Sequence, residues 1–295
     1  MSCAAPGLSS SDLFKQKHSK WQVNTGYRYF RSFRHYRGDV EEHERIENNT
    51  EVVNLSHAFD LGISFQPTNR LSFAVNLPVL HNDRSSLYEH YGNSLTANPD
   101  QKRFHTKSAG IGDLRISSSY WLIDPMKLKK YNVALGVGVK LPTGNYNVQG
   151  DFHKLDKEGV DYLIRKPVDQ SIQLGDGGVG FSLEGQGYIQ VGDNTSFYAN
   201  GFYLFNPRET NGINRNPATD PNPVDGYFSV PDQFAARAGV NQSLPFLKGF
   251  SVLLGGRVEG VPSQDLIGGS RGFRRPGYIV SVEPGVAYMK NGFSA

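Results

Sequence analysis

The stretch Leu174–Phe205, LGDGGVGFSLEGQGYIQVGDNTSFYANGFYLF, decides the fold. Val179, Phe181, Leu183, Ile189 and Val191 share one parity, and Ser182, Glu184, Gln186, Tyr188 and Gln190 take the other. A period of two marks a β-strand with one apolar and one polar face. Gly192-Asp193-Asn194 then makes a tight turn. Phe197, Ala199, Tyr203 and Phe205 return against Ser196, Tyr198 and Asn200. The result is a long hairpin with a minimal turn. Each arm can cross a bilayer, which takes about 9–11 tilted residues. The whole chain reads as this hairpin repeated around a closed barrel.

The same alternation recurs along the chain. Trp21, Val23, Thr25, Tyr27 and Tyr29 form one apolar or aromatic stripe. Val53, Leu55, Phe59, Leu61, Ile63 and Phe65 form a second, interrupted by His57. Leu71, Phe73, Val75, Leu77 and Val79 form a third. Leu114, Ile116, Tyr120 and Leu122 alternate with Asp113, Arg115, Ser117 and Ser119, and Tyr131 to Leu141 repeats the pattern. Phe234 to Val240, Phe250 to Val258 and Tyr278 to Tyr288 supply the last strands. Between them, His81–Ser108, Pro142–Gln173 and Asn206–Ser229 read as long polar loops.

Connection lengths fix the class. They are long after Tyr36, Leu80, Leu141, Phe205 and Gly260, and short after Gln66, Ile123, Val191, Leu244 and Met289. Strict alternation of short turns with long loops is the pattern of an outer-membrane barrel. Greek-key sandwiches do not produce it. The N-terminus then falls on the periplasmic, short-turn side. Trp21, Tyr131, Phe205, Phe250, Tyr278 and Tyr288 lie near strand ends, where interfacial girdles sit. Pro284 removes a ladder donor inside the last strand and predicts a bulge or a shorter strand. Asn291-Gly292 is the strongest type I′ signal in the chain. Ten strands precede it, and it commits the chain to an eleventh. Bacterial single-chain barrels have even strand numbers, so the expectation is twelve strands in the intact protein. Residues 1–19 read as a tail and 20–295 as one barrel domain lacking its C-terminal strands.

Composition agrees. A mean hydropathy of −0.46 excludes a bundle of membrane helices, but not a barrel, whose strands are half polar. The formal charge of +3 is too near neutral to argue for nucleic acid. Cys3 is the only cysteine, so no intrachain disulfide or multi-cysteine metal site can form. The start, MSCAAPGLSSSDLF, lacks the apolar export segment that an exported protein carries. A mature form or a fragment is therefore expected.

Four segments resemble the meta-pathway phenol-degradation family of outer-membrane β-barrel proteins. They are GIGDLRISSSYWL (Gly110–Leu122), VALGVGVKLPTGNY (Val133–Tyr146), QLGDGGVGFSLEGQGYI (Gln173–Ile189) and VSVEPGVAY (Val280–Tyr288). The resemblance implies a barrel tied to uptake of hydrophobic or aromatic compounds.

Charges of lumen parity are the main candidate site: Arg28, Asp113, Arg115, Lys140, Glu184, Arg237, Arg257, Glu259 and Glu283. They could line a path and select solutes by charge. Their mixed signs favour a compensating network, because buried charges need partners. Hydrolysis would need a loop dyad, and His81, Asp83 and His90, or Asp151, His153 and Asp156, offer Asp/His pairs. No nucleophile motif stands beside them, so no enzymatic activity is expected. Asp220, Asn222 and Asp225 lack the glycine and distal glutamate of a calcium loop and read as a solvated turn. Gly175–Gly180, GDGGVG, lacks the Lys-Ser/Thr and the helix of a phosphate loop.

The reading is an all-β transmembrane antiparallel up-and-down barrel in the outer membrane of a Gram-negative-type bacterium. It passes small, hydrophobic or aromatic solutes passively. Its expected partners are outer-membrane lipid and a small-molecule solute, with no cofactor, metal or nucleic acid. The alternative is a structural or surface-binding barrel acting through its long loops.

Overall fold

The computed structural model describes residues 20–127, 129–218, 220, 225–290 and 293–294. Cys3, Asn222 and the Asn291-Gly292 turn residues lie outside them. The strands that carry the alternating pattern form one antiparallel sheet in simple chain order. We number its wall strands β1 (Trp21–Ser32), β2 (Val53–Phe65), β3 (Leu71–Ser86), β4 (Leu114–Trp121), β5 (Tyr131–Leu141), β6 (Gly180–Gln190), β7 (Thr195–Phe205), β8 (Gln233–Ser243), β9 (Phe250–Val261) and β10 (Gly277–Lys290). Each pairs with the next, the up-and-down topology of a barrel wall. Among the described residues no helix is long and apolar enough to cross a membrane.

Register puts like faces together. Leu183 of β6 lies opposite Val137 on one side and Tyr203 on the other, and Phe181 opposite Val139 and Phe205. These outer-face residues stay exposed: Val137 is 59% exposed and Leu254 60%. The opposite face is buried although it is polar. Asn132, Ser182, Ser196, Asn241 and Ser251 are all buried. A polar inside and an apolar outside reverse the arrangement of a water-soluble domain and match a barrel in lipid.

The short turns gather at one end of the sheet, beside Trp21, which pairs with Phe65 (ring centroids 4.6 Å apart). Phe250 and Tyr288 form a matching pair at 4.6 Å. The Arg70 guanidinium lies 4.5 Å from the centre of the Tyr120 ring, and its Nε donates to the Trp121 carbonyl at 2.8 Å. An aromatic rim flanked by a cation suits the boundary between lipid and water.

Three loops hold more structure than their composition suggests. β3 continues through His81 to Ser86, and Phe104–Ile111 pairs with it. His81 is therefore a strand residue, not a loop residue as expected. The polar composition hid this, because strand pairing above the membrane needs no apolar face. Gln149–Leu155 and Asp161–Pro167 form a hairpin inside the expected Pro142–Gln173 loop. Thr210–Asn214 pairs with Tyr227–Ser229 inside Asn206–Ser229. Pro284 marks no bulge: the β9–β10 register runs through Leu254↔Pro284 without a shift. A proline is tolerated on an edge strand when its nitrogen faces the unpaired side.

Lys290 pairs with Phe293 and Met289 with Ser294, so a further strand begins there. Among the described residues no ladder joins β1 to β10, and both strands are largely exposed on both faces. The sheet is open there, as the odd eleventh strand led us to expect.

Val137 sits mid-strand on the outer face. Val137→Arg is expected to lower stability in a bilayer by about 2–4 kcal/mol. Urea titration of protein folded into vesicles measures this. An unchanged midpoint would mean that the face does not meet lipid.

Candidate functional site: the interior of the curled sheet

Curling brings strands that are not neighbours into contact. The Arg115 guanidinium of β4 lies 5.1 Å from the centre of the Phe202 ring on β7. It also donates to the Gln233 side-chain oxygen on β8 at 3.4 Å. β5 and β6 lie between β4 and β7 in the sheet. These contacts therefore cross the enclosed space toward its long-loop end.

Near the short turns apolar clusters sit among the buried polar residues Asn132, Ser196, Asn241 and Ser251. Trp121, Ala134 and Tyr188 form one buried cluster, and Tyr198, Leu253 and Ala287 another. The Tyr198 hydroxyl lies over two glycines. A Cβ at Gly239 would come within 2.7 Å of it, and one at Gly255 within 2.6 Å. The glycines of β8 and β9 thus leave room for an aromatic ring from β7.

The charges of β8, β9 and β10 form a paired row. Arg237 meets Glu283 at 2.8 Å, and Arg257 meets Glu283 at 3.8 Å and also pairs with Glu259. Glu184 accepts a hydrogen bond from the Ser182 hydroxyl at 2.7 Å. Arg28 of β1 lies opposite Ala58, whose side chain is buried on the interior side.

At the long-loop end, Arg115 and Lys140 are directly opposite in the β4–β5 register. The Lys140 ammonium pairs with Asp176 and stands 3.9 Å from Asp113. Asp113 in turn accepts backbone N–H bonds from Gly144 (3.0 Å) and Asp176 (3.2 Å). The Asn211 amide donates to the Asp176 carbonyl, and Arg208 to that of Gly177. Gly177 has φ +80°, which favours glycine, and a Cβ there would come within 2.9 Å of the Tyr146 ring. The glycines of GDGG therefore let this segment lie close against the wall and latch onto Asp113.

The loops above are also built on charge pairs. Arg84, 1% exposed, reaches Glu89 at 2.9 Å, the Asn54 side-chain oxygen at 2.9 Å and Asp169 at 3.5 Å. Arg84 and Arg275, which lies 2.6 Å from Asp169, hold that carboxyl below the usual range against the opposing effect of burial. Asp232 accepts from the backbone N–H groups of Asn206 (2.7 Å) and Leu266 (2.9 Å) and from the Tyr203 hydroxyl (3.0 Å). These residues were not singled out from sequence. Phe202 and Tyr198 carried a usable signal, being aromatics on the polar parity of their strand. Arg84 and Asp169 carried none, because their partners are remote in the chain.

The loop histidines do not form one dyad. His81 lies on the outer face, His153 pairs with Asp161 at 2.9 Å, and Asp151 pairs with Arg165 at 3.0 Å. His90 is buried between Phe152 and Phe104, with ring centroids 5.3 and 5.2 Å away. Its Nδ1 accepts the His153 backbone N–H at 3.1 Å, which requires a neutral ring. Among the described residues no group of three or more His, Cys, Asp or Glu could hold a metal.

No family model and no curated protein matches the chain, so the resemblance to the phenol-degradation family gains no support from sequence comparison. Solved structures with similar architecture include an outer membrane channel from Pseudomonas putida F1. The likeness there is 13% identity, a TM-score of 0.48, and coverage of 99% of this chain and 80% of that one. The CymD monoaromatic hydrocarbon channel follows at 9% identity and TM-score 0.44, with 92% and 71% covered. The P. putida toluene transporter TodX gives 12% identity and TM-score 0.44, with 92% and 70% covered. At these values the likeness carries no argument about solutes.

Two outcomes test the loop cap. Arg84→Met leaves the largely buried Glu89 without its cation and Asp169 with Arg275 alone, and is expected to cost about 3–5 kcal/mol, read as a lower urea midpoint. Burial, followed by the charges of His153, Lys154 and Lys166, lowers the His90 pKa from 6.5 to about 4, although Glu89 opposes the shift. The folded pKa lies below the unfolded one. The stability is thus fully present above pH 6.5 and is lost as pH falls toward 4, by up to about 3 kcal/mol. Hydrogen exchange in residues 149–167 should rise over that window in the wild type. His90→Phe should abolish the dependence.

Proposed function

We propose that this chain is an outer-membrane barrel that passes small, uncharged, hydrophobic or aromatic solutes passively. The contact of Arg115 with Phe202 across the interior carries the reading. In this reading a cation and an aromatic face meet inside the barrel just below the mouth, where paired charges hold the loops. Interior charges engaged with each other leave little net field to draw in ions. The Arg115–Phe202 pair offers aromatic solutes stacking and cation–π contacts. The structural neighbours described as channels fit this reading, as does the phenol-degradation resemblance.

Proteoliposome uptake tests it. Phenol should enter protein-containing vesicles faster than empty ones. Phe202→Ala should lower that rate by up to about thirtyfold, since cation–π contacts are worth up to about 2 kcal/mol. Asp113→Ala, which releases the Gly144 and Asp176 latch, should raise uptake of larger solutes. No protein-dependent uptake by any variant would overturn the channel. The surface-binding barrel, which the buried Arg84 cluster under the loops favours, would then be preferred.

A further inference from the structure

The outer face of the barrel is not apolar to the same height all round. On β5, β6 and β7 it stays apolar to the long-loop end, through Val139, Phe181 and Phe205. On β1, β2, β3 and the Phe104–Ile111 strand it changes character abruptly. The apolar stripe breaks above Phe59 and Val79, where the next outward positions are His57 and His81, and on β2 it resumes at Leu55 and Val53. His57 and His81 lie opposite each other and beside Tyr29. One step higher, Arg31, Leu55, Asp83 and Lys107 fall in one row across the same strands, with Leu55 between Arg31 and Asp83. His105 stands above them, opposite Ser85.

The heights fit a membrane boundary. Two residues of strand rise about 7 Å. The polar region on each side of the hydrocarbon core is roughly 5–8 Å thick. The histidine row and the Arg31/Lys107 row thus stand at and just above the headgroup level of the long-loop side.

The side chains are already arranged. The Tyr27 hydroxyl and His57 Nδ1 are 2.7 Å apart, and the His57 and His81 rings are 6.1 Å apart. Asp83 holds His105 Nδ1 at 2.5 Å and Lys107 Nζ at 3.4 Å, which leaves the ammonium two further donors. The Arg31 guanidinium stacks on Phe33 at 4.4 Å, and its N–H edge can still serve an anion. Arg31, Lys107 and several N–H and O–H donors thus lie along one outward surface, with Asp83 balancing part of the charge, a set that complements a phosphomonoester.

We propose that the outward-facing surface formed by Tyr29, Arg31, His57, His81, His105 and Lys107 binds the phosphate-bearing headgroup of an outer-leaflet lipid. The proposal rests on the membrane reading above. The occupant is lipid because the surface continues the apolar band without a break: acyl chains would cover Phe59, Val79 and Ile111 while the headgroup meets the charged rows. A free anion would use only the upper part.

Detergent-purified protein is titrated with diphosphorylated lipid A, with the same lipid after dephosphorylation, and with inorganic phosphate. The phosphorylated lipid should bind at least about tenfold more tightly than its dephosphorylated form, the factor that 1.4 kcal/mol gives. The triple change Arg31→Gln, His81→Gln and Lys107→Gln should remove that preference. Lys248→Gln, in a turn at the opposite end, should keep it. Equal binding of the two lipids, a preference that survives the triple change, or displacement of the lipid by inorganic phosphate would overturn the assignment. Insertion into phosphatidylcholine vesicles separates the two readings. If the wild type does not insert, the membrane reading falls and the proposal with it. If wild type and triple variant both insert without a phosphate preference, the headgroup assignment alone falls.

Discussion

Backbone hydrogen bonding between neighbouring strands is the constraint on which everything else depends. In hydrocarbon no water can satisfy an exposed N–H or C=O, so each strand needs partners on both sides. The ladders supply them for the strands between β1 and β10, and the register shifts by one residue only where β3 changes partner. The β3–β4 step is divided at Gly112-Asp113, where Phe104–Ile111 hands over to β4. That interruption frees Asp113 from the ladder. Its carboxylate can then hold the Gly144 and Asp176 backbone instead, so a break in the wall anchors the latch at the mouth.

Once the wall is set, face chemistry follows from its period of two. Register binds every outward residue to outward neighbours, so one slipped residue would turn a whole apolar stripe toward the interior. The interior then solves a different problem, because charges enclosed there need partners. Arg237, Arg257, Glu259 and Glu283 meet this need along adjacent strands, and Lys140 meets it through a loop. Arg115 meets it differently, by reaching across to Phe202 and Gln233. A network of that kind stiffens the interior and leaves the apolar and aromatic surfaces as the distinctive lining.

Much of this was legible in the sequence, for a physical reason. Alternation in Phe181–Val191 or Val53–Phe65 reports directly on which face meets which medium, and connection lengths report the topology. The opening between β1 and β10 was readable on the same grounds. Three kinds of feature were not. Polar strands such as His81–Ser86 and Gln149–Leu155 carry no apolar stripe, so they look like loops. The pairing of Arg84 with Asp169 joins residues whose proximity only the folded loops create. The proline at 284 looked like a defect because its cost depends on which way its nitrogen points.

The account's central claim is that the apolar face carrying Val137, Leu183 and Leu254 contacts lipid while the Ser119 and Gln186 face encloses an aqueous or solute-filled interior. Nitroxide labels at these positions in protein reconstituted into bilayers test it most directly. The account predicts that labels at 137, 183 and 254 relax with oxygen and are shielded from a water-soluble nickel chelate, with the opposite preference at 119 and 186. Chelate access at 137, 183 and 254 equal to that of a label in the Asp193 turn would contradict it.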